Sequence, residues 1–124
     1  MSMIDSPEIH ALGKFLDVSA FRTGLITSNM ANIDTPGYRT RDINFREELE
    51  RADAQAEGPM QLAAFSPVAR EVRGLAARPD GNDVSLDREG LLLAETQLRF
   101  QIGVQVLKTE FHEISSAING GTNG

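Results

Sequence analysis

The C-terminal part of this 124-residue chain carries a heptad pattern of apolar residues. Ten positions between residues 86 and 118 recur at alternating steps of four and three, and only Gly90 and Gln97 among them are not apolar. The members of this C-terminal seam are Leu86, Gly90, Leu93, Gln97, Phe100, Val104, Leu107, Phe111, Ile114 and Ile118. A period of 3.5 residues is typical of helices that pack lengthwise against other helices. The pattern therefore predicts a long helix that needs a partner along its length.

A weaker pattern of the same period occupies the N-terminal part of the chain. This N-terminal seam, in which two members are polar, is made of Ile9, Leu12, Leu16, Ser19, Thr23, Ile26, Met30 and Ile33. Ser6 suits the N-cap of a helix and Pro7 suits its first turn. Pro36 disfavours the helical conformation at Thr35, and Pro36-Gly37 fits the centre of a type II turn. We expect a first helix that starts near Ser6 and is closed by the segment Thr35 to Tyr38.

The second helix is expected to begin at Ser85 as N-cap and to run to about Ile118, with a stop at residues 119–121, Asn-Gly-Gly. Four glycines fall inside the two predicted helices: Gly13, Gly24, Gly90 and Gly103. Each costs a helix about 1 kcal/mol relative to alanine. Four such positions favour close backbone approach between tightly packed helices.

The segment between the two helices reads differently. Residues 45–55 fit a short acidic helix, and residues 63–72 fit a short strand or hairpin between repeated Gly and Pro positions. We divide the chain into residues 1–38, the first helix and its turn; 39–84, an irregular insert; and 85–124, the second helix and a flexible tail. The expected fold is mainly α. Two long helices pair antiparallel as a coiled-coil-like hairpin, around an insert that is partly β or disordered.

Composition excludes several functions. The net charge of −6 argues against a protein that binds the nucleic-acid backbone. The absence of cysteine excludes disulfides and thiolate metal sites. Apolar runs are too short to span a bilayer. Residues 1–8 have neither a basic nor an apolar region of the kind found in secretory signals, so we expect no cleaved signal.

Residues that could support chemistry are few. An antiparallel pairing of the helices would bring His10 and His112 close together, but a metal site needs three or four convergent ligands, and two solvated histidines are the simpler interpretation. The acidic segment 80–87 does not have the ligand spacing of a calcium loop, and a turn leading into a helix cap explains it. We expect no catalytic, cofactor or metal site.

The end of the first helix carries a more specific motif. Residues 29–38 read Asn-Met-Ala-Asn-Ile-Asp-Thr-Pro-Gly-Tyr. This segment resembles the Asn-x-Ala-Asn-x-x-Thr-Pro-Gly-Tyr signature of the bacterial flagellar rod and hook proteins. The matching residues, which we call the signature turn, are Asn29, Ala31, Asn32, Thr35, Pro36, Gly37 and Tyr38.

The second half of the chain narrows this resemblance to the proximal rod proteins. Residues 80–84, Asp-Gly-Asn-Asp-Val, and residues 97–100, Gln-Leu-Arg-Phe, are similar to elements of one of the two proximal rod proteins, with Phe100 in place of a common tyrosine. Its sister protein, FlgC, normally has an Arg-Ala-Tyr-x-Ala element that is absent here. FlgC is nevertheless the nearest alternative within the family.

The resemblance implies a structural subunit whose terminal helices polymerise into the hollow drive shaft that joins the inner-membrane ring to the distal rod and hook. It implies a periplasmic location after export by the flagellar type III apparatus. The implied partners are copies of the chain itself, the rod proteins FlgC and FlgF, the rod adapter FliE, and the inner-membrane ring with its export gate, without nucleic acid or direct membrane insertion. The residues we expect to carry assembly are Leu12, Leu16, Ile26, Met30, Leu86, Leu93, Phe100, Val104, Leu107, Phe111, Ile114 and Ile118.

A soluble helical adaptor or coiled-coil oligomer is the alternative from a different class. It predicts a discrete and stably helical oligomer in solution. The rod interpretation predicts instead a free subunit that is mostly monomeric and partly unfolded, since neighbours complete its folding.

Overall fold

The computed structural model describes residues 6–55 and 66–122 of the chain. Within these two ranges, three helices and two short strands follow one another: α1 (Pro7–Ala31), β1 (Arg41–Asp42), α2 (Phe45–Gln55), β2 (Arg70–Glu71) and α3 (Leu86–Thr122). The helices α1 and α3 pack against each other, and α2 packs against α1. The predicted helical hairpin with a short, partly β insert is therefore confirmed. Within the described residues, no helix combines the length and apolarity that a membrane crossing needs.

Local capping sets the start of each long helix, as the sequence predicts. The Ser6 hydroxyl accepts a hydrogen bond of 3.2 Å from the Ile9 amide, with Pro7 in the first turn. The Ser85 hydroxyl accepts a bond of 3.3 Å from the Arg88 amide. The short acidic helix predicted for residues 45–55 has the same bounds as α2.

The predicted end of the second helix is wrong. α3 does not stop at residues 119–121 but continues to Thr122. Among the described glycines only Gly37, Gly74 and Gly81 have a positive φ, so Gly120 does not form the left-handed cap on which the prediction depended. A glycine that keeps helical dihedrals weakens a helix by about 1 kcal/mol and does not have to end it.

The strand predicted within residues 63–72 corresponds to β2, although residues 63–65 lie outside the described part of the chain. β2 pairs antiparallel with β1, and Arg41 lies opposite Glu71. Ion pairs fix this insert to the hairpin. Arg22 on α1 holds Asp42 through two hydrogen bonds of 3.0 Å, and Lys14 lies 3.1 Å from Asp53 on α2.

The contact between the two long helices is narrow and partly polar. Three residues of α3 are buried on the side that packs against α1. They are Glu89, Thr96 and Gly103, which follow one another at intervals of seven residues. At Gly103 a Cβ atom would lie 3.0 Å from the Leu16 side chain and 3.1 Å from the Phe15 ring. The predicted close approach is therefore found at Gly103, whereas a Cβ at Gly13, Gly24 or Gly90 would meet nothing within 4 Å.

Candidate functional site

The signature turn closes α1 with its own side chains. Asn32 is the C-cap residue, and its side-chain amide donates a hydrogen bond of 2.8 Å to the Ser28 carbonyl. The Thr35 hydroxyl donates a hydrogen bond of 3.0 Å to the Asn32 side-chain oxygen. The Tyr38 backbone amide donates a hydrogen bond of 3.1 Å to the Thr35 carbonyl, and Gly37 has a φ of 75°. These dihedral and hydrogen-bond features are those of the type II turn that the sequence predicts.

Asn29 is the centre of the site. Its side chain is only 1% exposed, and all four of its hydrogen-bonding positions are used. The oxygen accepts from the Tyr38 hydroxyl at 3.0 Å and from the Arg41 amide at 3.1 Å. The nitrogen donates to the Arg41 carbonyl at 2.8 Å and to the Glu89 carboxylate at 3.2 Å. One amide therefore joins α1, the turn, β1 and the start of α3.

The Asp-Gly-Asn segment before α3 holds the turn from the other side. The Asn82 side chain donates to the carbonyls of Asn32 at 2.9 Å and Thr35 at 2.8 Å. The Gly37 backbone amide donates a hydrogen bond of 2.8 Å to the Asp80 carbonyl. A Cβ on Gly81, whose φ is 87°, would lie 3.4 Å from the Gly37 Cα. The two motifs that were recognised separately in the sequence thus form one interlocked structure.

Three charged residues of this structure were missed by the sequence reasoning. Arg78 donates to the carbonyls of Ile33 and Val84, so it links the end of α1 to the segment before α3. The Asp83 carboxylate accepts a hydrogen bond of 2.6 Å from the Thr40 backbone amide. Glu89 is fully buried and accepts from Asn29 and from Arg88. Nothing in the local sequence distinguishes them, because their partners lie far away along the chain.

The structure distributes the predicted site residues unevenly. It brings Asn29, Asn32, Thr35, Gly37 and Tyr38 together by hydrogen bonds, whereas Ala31 and Pro36 are exposed at the surface. Among the predicted assembly residues Ile26 is buried in the hairpin. The half-buried ones are Leu12, Leu16, Met30, Leu93, Val104, Leu107 and Ile114, and the exposed ones are Leu86, Phe100, Phe111 and Ile118. Their role in contacts between subunits remains a prediction.

The exposed apolar residues of α3 form two rows. A helix turns by about 100° per residue, so with Gly103 facing α1 the two rows lie on roughly opposite sides of α3. Row one consists of Leu86, Phe100, Phe111 and Ile118, which are 38% to 53% exposed. Row two consists of Leu91, Leu98, Ile102 and Val106, which are 43% to 70% exposed. The hairpin therefore uses only one face of α3 and leaves two apolar flanks uncovered.

The described part of the chain offers no grouping of three or more His, Cys, Asp or Glu side chains of the kind that holds a metal ion. The polar residues of the signature turn bond to one another and to the backbone, so their arrangement serves to fix the chain direction at the end of α1. The two apolar rows are the uncovered apolar surface of α3. The site itself is a structural junction at the end of α1.

Comparison with known proteins identifies the family. No protein-family profile matches the chain. The chain is 31% identical over 122 residues to the flagellar basal body rod protein FlgB of Salmonella typhimurium, a match that covers 86% of this chain and 88% of that protein. It is 36% identical over 108 residues to FlgB of Cereibacter sphaeroides, covering 80% and 84%. FlgB of Bacillus subtilis is 27% identical over 124 residues, covering 94% and 96%.

These relatives, with the paired terminal helices and the signature turn, define the class as a structural subunit of the flagellar rod. The resemblance noted in the sequence is thereby confirmed. The chain belongs to the FlgB family of flagellar basal body rod proteins.

Proposed function

We propose that this chain polymerises through its terminal helices into the hollow drive shaft that joins the inner-membrane ring to the distal rod and hook. The observation that carries the proposal is the pair of apolar rows on opposite flanks of α3. Large exposed apolar surfaces are rare on proteins that act alone and usually mark sites of interaction. The subunit has no catalytic role in this proposal, and its mechanism is the geometry of packing.

The size of the uncovered surface supports assembly. Eight large apolar side chains of α3 are 38% exposed or more. Complete burial of such a side chain contributes roughly 1.5 to 3 kcal/mol, so a half-exposed one has roughly 1 kcal/mol left to gain. Eight of them together supply several kcal/mol, which is of the order of the cost of immobilising a subunit.

The placement of the rows favours a polymer over a closed dimer. A twofold dimer buries the same patch of both subunits, whereas two different patches on opposite sides produce contacts that continue from one subunit to the next. Such contacts generate rings or open helical filaments. In this proposal row one of one subunit contacts a different face of its neighbour, and row two does the same on the other side.

The partners that we propose are further copies of this chain, the rod proteins FlgC and FlgF, the adapter FliE and the inner-membrane ring. The hairpin formed by residues 1–38 and 85–124 lies in the wall of the tube, and residues 39–84 form an insert beside it. We also propose that the subunit reaches the periplasm through the flagellar type III export gate. These assignments rest on the family, and the export route is tested by locating the protein in cells that lack the gate.

The substitution Ile102→Asp tests the assembly proposal. Ile102 is 54% exposed in row two, so the variant chain should keep its hairpin, whereas burial of an unpaired charge between subunits costs several kcal/mol. We expect mass spectrometry of purified basal bodies to find the wild-type chain and not the variant, and we expect the variant cells to be non-motile. The matched control is Gln101→Asp, which adds the same charge at an exposed position of α3 about midway between the two rows.

Normal incorporation of the Ile102→Asp chain into basal bodies would contradict a role for row two in assembly. Absence of the wild-type chain from basal bodies, together with a discrete helical oligomer in the cytosol, would favour the helical-adaptor function instead.

A further inference from the structure

A groove of about 1200 Å³ lies along the small β-sheet, away from both apolar rows. It is formed by residues 37–39 and Arg41 on one side and by residues 69–74 on the other. Four arginines contribute to its lining: Arg39, Arg41, Arg70 and Arg73. Neither the signature turn nor the assembly of helices requires this concentration of guanidinium groups.

The charge of the groove is opposite to that of the remaining chain. Its four arginines and one acid, Glu71, give a net charge of 4 − 1 = +3. The whole chain carries −6, so the residues outside the groove carry −6 − 3 = −9. Within the described residues Arg41, Arg70 and Arg73 form no ion pair, while Arg39 lies 3.8 Å from Asp83.

The strand pairing neutralises only part of the charge in the groove. Arg41 lies opposite Glu71 and Asp42 lies opposite Arg70, so each pair joins opposite charges, and the Val72 amide donates a hydrogen bond of 2.9 Å to the Thr40 carbonyl. Asp42 is held by Arg22 of α1 through two hydrogen bonds. Among the described residues, Glu71 is therefore the one carboxylate that lines the groove beside four arginines. A bound anion would offset the remaining positive charge.

The sheet also has one open edge beside the groove. The outer side of β1 is occupied, because the Asn29 side chain bonds both the amide and the carbonyl of Arg41. Since Thr40 and Val72 are the hydrogen-bonded pair, the amide and carbonyl of Glu71 point away from β1. An exposed strand edge of this kind accepts an additional strand from another chain.

We propose that the groove binds an acidic, extended segment of a partner polypeptide. Its carboxylates pair with the guanidinium groups of Arg41 and Arg73, which suit two-pronged hydrogen bonds to carboxylate, and its backbone adds to the open edge of β2. A polypeptide is favoured over a nucleic acid or an anionic membrane because a peptide uses the strand edge. The inference goes beyond the proposed rod function, since the groove is separate from the apolar rows.

The test measures binding of a fluorescein-labelled peptide of alternating glutamate and threonine to the full chain, by fluorescence anisotropy. The groove variant is Arg41→Gln with Arg73→Gln, and the matched control is Arg46→Gln with Lys108→Gln, which removes two positive charges from exposed positions outside the groove. We expect the groove variant to bind about tenfold more weakly and the control to bind like the wild type. Binding should weaken with added salt, and the peptide with glutamine in place of glutamate should not bind.

Equal binding of the glutamate and glutamine peptides, or of the wild type and the groove variant, would overturn the proposal. So would binding of phosphatidylglycerol vesicles or a single-stranded oligonucleotide by a chain that does not bind the peptide. Circular dichroism accompanies each measurement. If the double variant loses helix, Arg73→Gln alone provides the same readout, because the Arg73 side chain is exposed and makes no hydrogen bond within the described residues. Failure of the peptide to bind would not change the expected incorporation of the chain into basal bodies. The groove proposal and the rod proposal can therefore be refuted independently.

Discussion

The substitution Asn29→Ala tests the interlocked structure around the signature turn. The Asn29 amide is 1% exposed and makes four hydrogen bonds of 2.8 to 3.2 Å. Alanine would leave the amide and carbonyl of Arg41, the hydroxyl of Tyr38 and one oxygen of the buried Glu89 carboxylate without this partner. The nearby side-chain donors of Thr35 and Asn82 are already bonded within the turn, so they do not replace it.

The expected loss follows from the kinds of bond. A neutral hydrogen bond contributes about 1 kcal/mol net, and one to a charged group contributes about 1.5 to 3 kcal/mol. Three neutral bonds and one bond to Glu89 therefore give a loss of roughly 4 to 6 kcal/mol. Domains are stable by about 5 to 15 kcal/mol in total, so the variant should lie close to unfolding.

Urea unfolding monitored by circular dichroism measures this loss in the purified chain. The matched control is Ser28→Ala, an adjacent exposed position on α1, which should change the free energy of unfolding by less than about 0.5 kcal/mol. Asn29→Asp keeps the accepting oxygen but loses both donors and brings a second carboxyl group to Glu89, so it should be at least as destabilising as alanine at neutral pH. A loss below about 1 kcal/mol for Asn29→Ala would refute the central role of this residue.

Three further substitutions test other parts of the hairpin in the same unfolding assay. Gly90→Ala should stabilise by about 0.5 to 1 kcal/mol because a Cβ there meets nothing within 4 Å, whereas Gly103→Leu should destabilise by about 1 to 3 kcal/mol through contact with Leu16; equal effects would contradict close packing at Gly103. Gly37→Ala should cost about 1 to 2 kcal/mol because of its φ of 75°, and no loss would show that the turn has another conformation. Thr96→Val should stabilise by about 1 kcal/mol because the buried Thr96 hydroxyl has no hydrogen-bond partner in the part of the chain that the structure describes, and destabilisation would show that the hydroxyl is bonded.

Features that depend on neighbouring residues were predicted correctly from the sequence. The N-caps Ser6 and Ser85, the turn at Gly37 and the short acidic helix Phe45–Gln55 all follow from contacts within a few residues. Capping and turn chemistry are read from local residue types, because the side chain bonds a backbone group two or three positions away. The end of α3 is the local feature that was wrong, since a glycine pair permits a helix end without requiring one.

The residues that join distant segments could not be predicted. Glu89 near the start of α3 has the sequence context of an exposed acid that favours the positive helix end, yet it is buried against Asn29, 60 residues earlier. Arg78 similarly bonds Ile33, 45 residues earlier. A heptad pattern identifies the apolar side of a helix, but it does not say whether the partner belongs to the same chain. The helix itself was therefore placed correctly, but Phe100 and Phe111 of the pattern are exposed. The residues of α3 that are buried, Glu89, Thr96 and Gly103, lie beside the pattern and not in it.

The helix α3 buries polar groups and leaves eight large apolar side chains exposed, although α1 also buries Val18 and Ile26. The face of α3 that packs against α1 carries Glu89 and Thr96. Ser19 of α1 is also fully buried, and its hydroxyl has no hydrogen-bond partner among the described residues. Leu91, on the uncovered flank, is 70% exposed. A hairpin that had to be stable alone would have the reverse distribution, because an unpaired buried hydroxyl costs about 1 to 3 kcal/mol and an exposed leucine contributes little.

The distribution assigns two tasks to one helix. Asn29 with Glu89, and the close approach at Gly103, fix where α3 lies against α1, because neither contact survives a shift of the helices by one turn. The apolar rows contribute little to that register and are left for neighbours. In the proposed rod the free energy that completes folding is gained only when a subunit docks. The turn and its buried polar contacts hold the hairpin in the shape that docking requires.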